Sequence, residues 1–179
     1  MRRDKGFRRD ASQFFVAGEL CRRGLVATVT MGNCPNTDIL CSNPEGTKFA
    51  HIQVKTFRPG IRTCSVGMKS ERDYGGNFFW VLGGIPDPES EAPFQYYIIP
   101  SKDMAVNMRE CFRLWVETPG KDGRPHDPEN TVRAIPLPPR VCRNGWSIAE
   151  YLNRWDLIEN SVDAQHVPAC DGVKSAPEE

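Results

Sequence analysis

The residues of this chain whose types and spacing could do chemistry lie in two segments, Pro35-Asn36-Thr37-Asp38-Ile39-Leu40 and His51-Ile52-Gln53-Val54-Lys55. One carboxylate opens a stretch that reads as a strand, and the next strand carries a Gln-x-Lys pair. The two-residue period of a strand puts Gln53 and Lys55 on one face. If the two strands pair through the turn Asn43-Pro44-Glu45-Gly46, Asp38 lies near that face. The Asp38 carboxylate, the Gln53 amide oxygen and the Val54 backbone carbonyl then converge. They are hard oxygen donors of the kind that suit Mg²⁺, or Mn²⁺ in its place, with several waters retained. Lys55 beside them would hold developing charge on a phosphate or help position an attacking water. Each residue also has a plainer reading. Asp38 can cap a turn after Asn36 and Thr37, and Gln53 and Lys55 can be the solvated face of a half-buried strand. His51, on the same face, is either a structural polar residue or a substrate contact.

The elements that must position these residues follow from periodicity. Residues 11–23 read as an amphipathic helix with Phe14 or Phe15, Val16, Ala17 and Leu20 as its apolar stripe, stopped by Gly24. Strands are expected over 25–30, 38–42 and 49–57. In the third of these, Ala50, Ile52, Val54 and Thr56 face one way and Phe49, His51, Gln53 and Lys55 the other. A loop over 58–76 carries Arg58, Arg62, Lys69 and Arg72, and could flank a substrate groove. Strands near 77–83 and 94–99 come next, then a helix to about Val116 with Ser101 as N-cap and Asp103 in its first turn. After a Pro/Gly-rich loop over 118–130, residues 131–135 form a short strand. A last helix starts at the capping box Ser147-Ile148-Ala149-Glu150. The order is that of a mixed α/β layer fold around one central sheet. We expect a basic arm over 1–10, a core over 11–117, a Pro-rich loop and C-terminal helix packed on it over 118–160, and a disordered tail over 161–179.

Composition bounds the function classes. At 179 residues, 39% hydrophobic and 26% charged, the chain can bury a core without disulfides. Lys+Arg and Asp+Glu balance at 23 each, so only local charge points to a partner. The N-terminal cluster Arg2, Arg3, Lys5, Arg8 and Arg9 could lie along phosphates. No stretch approaches the length of a membrane span, and no apolar region follows the basic N-terminus as in a signal peptide. The seven cysteines are odd in number and lack Cys-x-x-Cys spacing, which argues against a disulfide framework and a zinc ribbon. Reduced thiols and a cytoplasmic location fit, with Cys21 and Cys111 packing as small hydrophobes in helices. No Cys/His pair carries a nucleophile motif, and Gly83-Gly84 lacks the Lys/Ser of a phosphate-binding loop.

From about Ser12 to about Val116 the chain resembles the PD-(D/E)xK nuclease superfamily, in its Holliday-junction-resolvase-like and Mrr-like branches. The segments that carry the likeness are the N-terminal helix, NTDILCSNPEGTKFAHIQVKT, FFWVLGG and YYIIPSKDM. The resemblance implies a restriction-endonuclease-like fold and Mg²⁺-dependent endonuclease activity on DNA. It implies Asp38 and Gln53 as metal ligands, Lys55 as the residue assisting chemistry, and Gln13 at the position where a helical Glu often faces the site. It also implies a homodimer. Gln53 and Gln13 both stand where acidic residues are usual. That leaves Asp38 as the one obvious carboxylate and opens the alternative of a catalytically inactive module that binds nucleic acid or a protein partner.

Overall fold

A computed structural model of the protein describes residues 5–31, 34–120 and 122–163. The first helix, α1, spans Lys5–Arg22. It begins at Lys5 rather than at 11, because residues 7–10 contain neither proline nor glycine and Arg8 ties the first turns to Asp87. Arg8 and Arg9 therefore sit on a helix, not on an arm. The C-terminus is closed by Gly24 at φ 85°, where only glycine is unstrained. Leu25 N–H reaches back to Leu20 O at 3.1 Å and Gly24 N–H to Cys21 O at 3.0 Å.

The chain then builds β1 (Val26–Val29), β2 (Ile39–Ser42), β3 (Phe49–Phe57), β4 (Thr63–Ser65), β5 (Phe78–Gly84) and β6 (Gln95–Pro100). A second helix α2 (Ser101–Glu117), β7 (Ala134–Pro136) and a third helix α3 (Asp156–Asp163) follow. Five strands form one sheet in the order β1-β2-β3-β5-β6. The β3–β5 pair is parallel and the other pairs are antiparallel, so the sheet is mixed. Helices flank it on both faces, and β5 is buried along its whole length, as a central strand covered on both sides must be.

Strand alternation divides the core. On the first face Ile39, Ala50, Ile52, Val54, Phe79, Val81 and Ile98 meet Val16 and Leu20 of α1 and Ile158 and Val162 of α3. On the second, Phe78, Trp80, Leu82, Tyr97 and Ile99 meet Met104 and Met108 of α2 and Ile135 of β7. Gly84 lets this second face close: a Cβ there would stand 2.6 Å from the Phe57 ring.

Several local expectations give way to tertiary contacts. The basic loop contains β4, paired with the distant β7, and a short 3₁₀ helix over Met68–Glu71. Three-residue strands with a remote partner have no periodicity to read. Ser101 is not the cap of α2; it lies inside the first turn, buried, and its Oγ accepts from Tyr74 N–H at 2.7 Å. The expected helix from Ser147 is broken in two. Ser147 caps a 3₁₀ turn over Ile148–Tyr151, and the chain then extends so that Leu152 bridges to Tyr97, with Asn153 at φ 55°, before α3 begins. Helix α3 runs to Asp163; the rest of the expected tail, 164–179, lies outside the described residues. Cys21 is exposed rather than packed, and Cys111 is half-buried. Among the described residues no helix is long and apolar enough to cross a membrane.

Candidate functional site at the fork between β2 and β3

The register that sets Ile39 opposite Ile52 continues by one residue: Asp38 N–H donates to Ile52 O at 2.8 Å, which leaves Asp38 opposite Gln53. Here β2 ends while β3 runs on, and the site lies in that fork. The Asp38 Oδ2 accepts from the Gln53 side-chain amide and from Val54 N–H, the latter at 2.7 Å. In an extended strand the N–H and C=O of one residue leave on the same edge, so the Val54 carbonyl also leaves toward this fork. Thr30 secures the turn before Asp38, its N–H donating to Asp38 O at 2.9 Å and its hydroxyl to Thr37 O at 2.6 Å. His51 is engaged locally, with Nδ1 3.3 Å from the Thr37 hydroxyl.

Lys55 lies on the Gln53 side of β3, its ammonium 5.8 Å from the centre of the Trp80 ring. Burial raises the Asp38 pKa above the ordinary aspartate value, against the Val54 N–H, the charges of Lys55 and Arg9, and the Gln53 amide, all of which lower it. Burial likewise lowers the Lys55 pKa, although Asp38 pulls the other way; Lys69 and Arg9 add like-charge repulsion. An isolated ion pair would shift both groups in the opposite senses. Here desolvation outweighs attraction at both ends. Desolvation thus disfavours the charged form of both partners, a perturbation that marks the fork as a candidate functional site. Beneath Lys55, burial pushes the Cys64 thiol up to about 12, so it is an uncharged wall.

The other sequence candidates divide. Arg9 reaches the site electrostatically from α1, and Lys69 does so from the 3₁₀ helix, where its ammonium also donates to Pro35 O. Gln13 follows Arg9 by one helical turn and shares its face, but it hydrogen-bonds to none of Asp38, Gln53 and Lys55. Arg8 and Arg58 both pair with Asp87 beyond the end of β5, Arg58 at 3.5 Å. Arg62 is exposed before β4, and Arg72 covers the Tyr74 ring at 5.2 Å. The sequence offers no signal for Trp80 beneath Lys55, since an aromatic residue in an apolar strand reads only as core. The i, i+4 spacing of Arg9 and Gln13 is a usable signal that Arg9 belongs on the site side of a helix.

Among the described residues, no three His, Cys, Asp or Glu side chains gather as a metal cluster. The donors that do meet at the fork are one carboxylate, one amide and one strand edge. This is an all-oxygen set once the Gln53 amide turns its oxygen inward, and it fits a hard divalent cation that keeps most of its waters better than it fits zinc.

No family model matches the chain, and no curated protein matches it. Among solved structures, the chain is similar to the bacterial homing endonuclease I-Ssp6803I. The TM-score is 0.52 at 16% identity, over 90% of this chain and 96% of that one. At this identity the likeness concerns the fold. The protein therefore has a nuclease-like α/β fold, a mixed five-stranded sheet flanked by helices.

Proposed function

We propose that the protein is a metal-dependent endonuclease that hydrolyses phosphodiester bonds in DNA, with a PD-(D/E)xK-type site of the form D…QxK. The observation that carries this reading is the meeting of Asp38, Gln53 and Val54 at the fork, with Lys55 on the same side and electrostatically coupled to Asp38. The nuclease-like fold, shared with a homing endonuclease, supports it.

In this reading Asp38, the Gln53 amide oxygen once turned inward and the Val54 carbonyl would hold Mg²⁺ or Mn²⁺. When bound there, such an ion would supply Lewis acidity to the reaction. Lys55, with its lowered proton affinity, holds the attacking water by hydrogen bonding and faces the phosphate oxygens as charge builds on them. The water oxygen bonds to phosphorus as its proton passes to solvent, the bond to one ester oxygen breaks, and that leaving oxygen takes up a proton from solvent. Arg9 and Lys69 hold the neighbouring phosphates, and the exposed Arg58, Arg62 and Arg72 extend the cationic track, with Arg8 fixing α1 through Asp87. Gln13 lies along the α1 face that approaches the site and would contribute through an ordered water. Two copies of the chain would present two such sites to the two strands of a duplex; sedimentation of the free and DNA-bound protein tests that dimer.

A second reading, a nuclease-fold module that binds nucleic acid or a protein partner without cutting, is favoured by one observation: the fork holds a single carboxylate, which binds Mg²⁺ more weakly than two or three would. One experiment separates the two. Supercoiled, branched and single-stranded DNA are incubated with the protein and Mg²⁺ or Mn²⁺, alongside Asp38→Ala and Lys55→Ala. Cleavage lost in both variants is expected. Equal cleavage by wild type and variants sinks the catalytic assignment, and binding without cleavage establishes the second reading.

A further inference from the structure

Helix α1 carries a second apolar stripe that its own chain does not bury. Val16 and Leu20 pack on the sheet, whereas Phe7, Phe14 and Phe15 stand outside at 75%, 64% and 46% exposure. The sequence places Phe14 or Phe15 on the buried stripe; both lie off it. Phe15 meets the half-exposed Phe94 edge to face at 4.9 Å, which widens the patch toward β6. Positions 7, 11, 14, 18 and 22 follow one another down this outer face at helical spacing. Between the rings stand Ala11 and Gly18. A Cβ on Gly18 would meet nothing within 4 Å, so no contact within the chain calls for glycine there, and mid-helix glycine is a poor helix former. Such an open position suits the close approach of a second backbone.

The stripe is also a palindrome about the point between Phe14 and Phe15. A second α1 laid antiparallel on the first sets Phe7 over Arg22, Ala11 against Gly18 and Phe14 beside Phe15. A two-fold axis repeats every one of these contacts. Arg22 is ready for a ring: it binds Glu19 through Nε to Oε2 at 2.7 Å and Nη2 to Oε1 at 2.8 Å, edge-on bonds that leave the guanidinium face free to stack. We infer that this outer face of α1 is the interface for a second copy of the chain, packed antiparallel in a two-fold dimer. The area is of the right order. At roughly 200 Å² for a whole phenylalanine, Phe7, Phe14, Phe15 and Phe94 leave about 450 Å² bare on each copy. Ala11, Gly18, Cys21 and Arg22 carry each side toward the roughly 800 Å² of a standard interface. The stripe lies about half a turn of α1 from Arg9, so the dimer leaves the fork open. It gives the two-copy arrangement a surface but rests on no feature of the fork, and its test needs neither DNA nor metal.

The full chain is examined by analytical ultracentrifugation over a range of micromolar concentrations. A reversible monomer–dimer equilibrium is expected, the larger species at twice 20.2 kDa. Phe14→Glu should weaken the dimer by roughly tenfold or more. Gly18→Leu should weaken it similarly while the monomer unfolds at no lower temperature, since leucine is the better helix former and has open space there. A disulfide trap reads the register. Ala11→Cys and Gly18→Cys chains, each with Cys21, Cys34 and Cys170 changed to serine, should cross-link when mixed under mild oxidant. Neither should do so alone, because two copies of one position lie about 10 Å apart along the antiparallel helices. A wild type that stays monomeric, a dimer that either substitution leaves unchanged, a mixture that does not cross-link, or cross-linking by one chain alone overturns the proposal. A monomer that instead floats with anionic phospholipid vesicles gives the stripe to a membrane surface, and overturns it too.

Discussion

Replacing Asp38 by asparagine separates the cost of the site from its use. The new side chain has the same shape. With its amide oxygen in the place of Oδ2 it can accept from both Val54 N–H and the Gln53 amide, so both contacts of Asp38 Oδ2 are retained. What is lost is a half-buried negative charge. Its raised pKa means that burial costs the carboxylate more than Val54, Lys55, Arg9 and Gln53 return. A folded-state pKa raised above the unfolded one makes the fold least stable, relative to a neutral side chain, once pH has risen through the folded value. The penalty is absent below the unfolded value. Asp38→Asn is therefore expected to stabilise the metal-free protein at neutral pH by about 0.5–1 kcal/mol, allowing for solvent screening of a partly exposed group. The assay is urea unfolding in chelator, for both proteins, from pH 3 to 8. The gain should be full at neutral pH and vanish as pH falls through the carboxylate range. A variant less stable than wild type at pH 7, or a gain that does not change with pH, refutes the claim that desolvation dominates at the fork.

Two further outcomes follow from geometry. Gly84→Ala places a methyl 2.6 Å from the Phe57 ring and 3.1 Å from Gln95 Cβ; about 1–3 kcal/mol of stability should be lost, read by thermal or urea unfolding. Arg9→Ala and Lys69→Ala should each weaken DNA binding evenly across sequences and lower the slope of log K against log salt by about 1, read by fluorescence anisotropy at several salt concentrations.

The site and the first half of the fold are legible for the same reason: they are built from contacts close in sequence. Strand β3 is read to its limits from alternation alone, and the turn at Asn43–Gly46 fixes the β2–β3 register, which brings Asp38 to Gln53. What sequence could not supply is set by distant partners. Arg8 extends α1 because Asp87 waits beyond β5, and β4 exists because β7 pairs with it. Ser101 reads as a cap until the Tyr74 N–H that it serves is seen. The Ser147 capping box is genuine, but it starts a single 3₁₀ turn, because the edge of β6 captures Leu152 and Asn153 first. Arg9 reads as part of a basic arm only as long as its helix is placed to begin at 11 instead of Lys5.

Helix α3 has a consequence for the order in which the molecule can be made. It seals the first face of the sheet together with α1, through Trp155, Ile158 and Val162 against Ile52, Val54 and Ile98. These contacts join the C-terminal end of the described residues to strands far back along the chain, and folding speed falls as such long-range contacts grow in number. While the chain is still being synthesised, α1 can lie on the sheet as soon as β6 is complete, but part of that apolar face stays open to solvent until α3 emerges. A ribosome stalled between α2 and α3 would hold a domain whose fork is assembled and whose core is not sealed. Such an intermediate is the natural target for a chaperone that recognises apolar sheet surface.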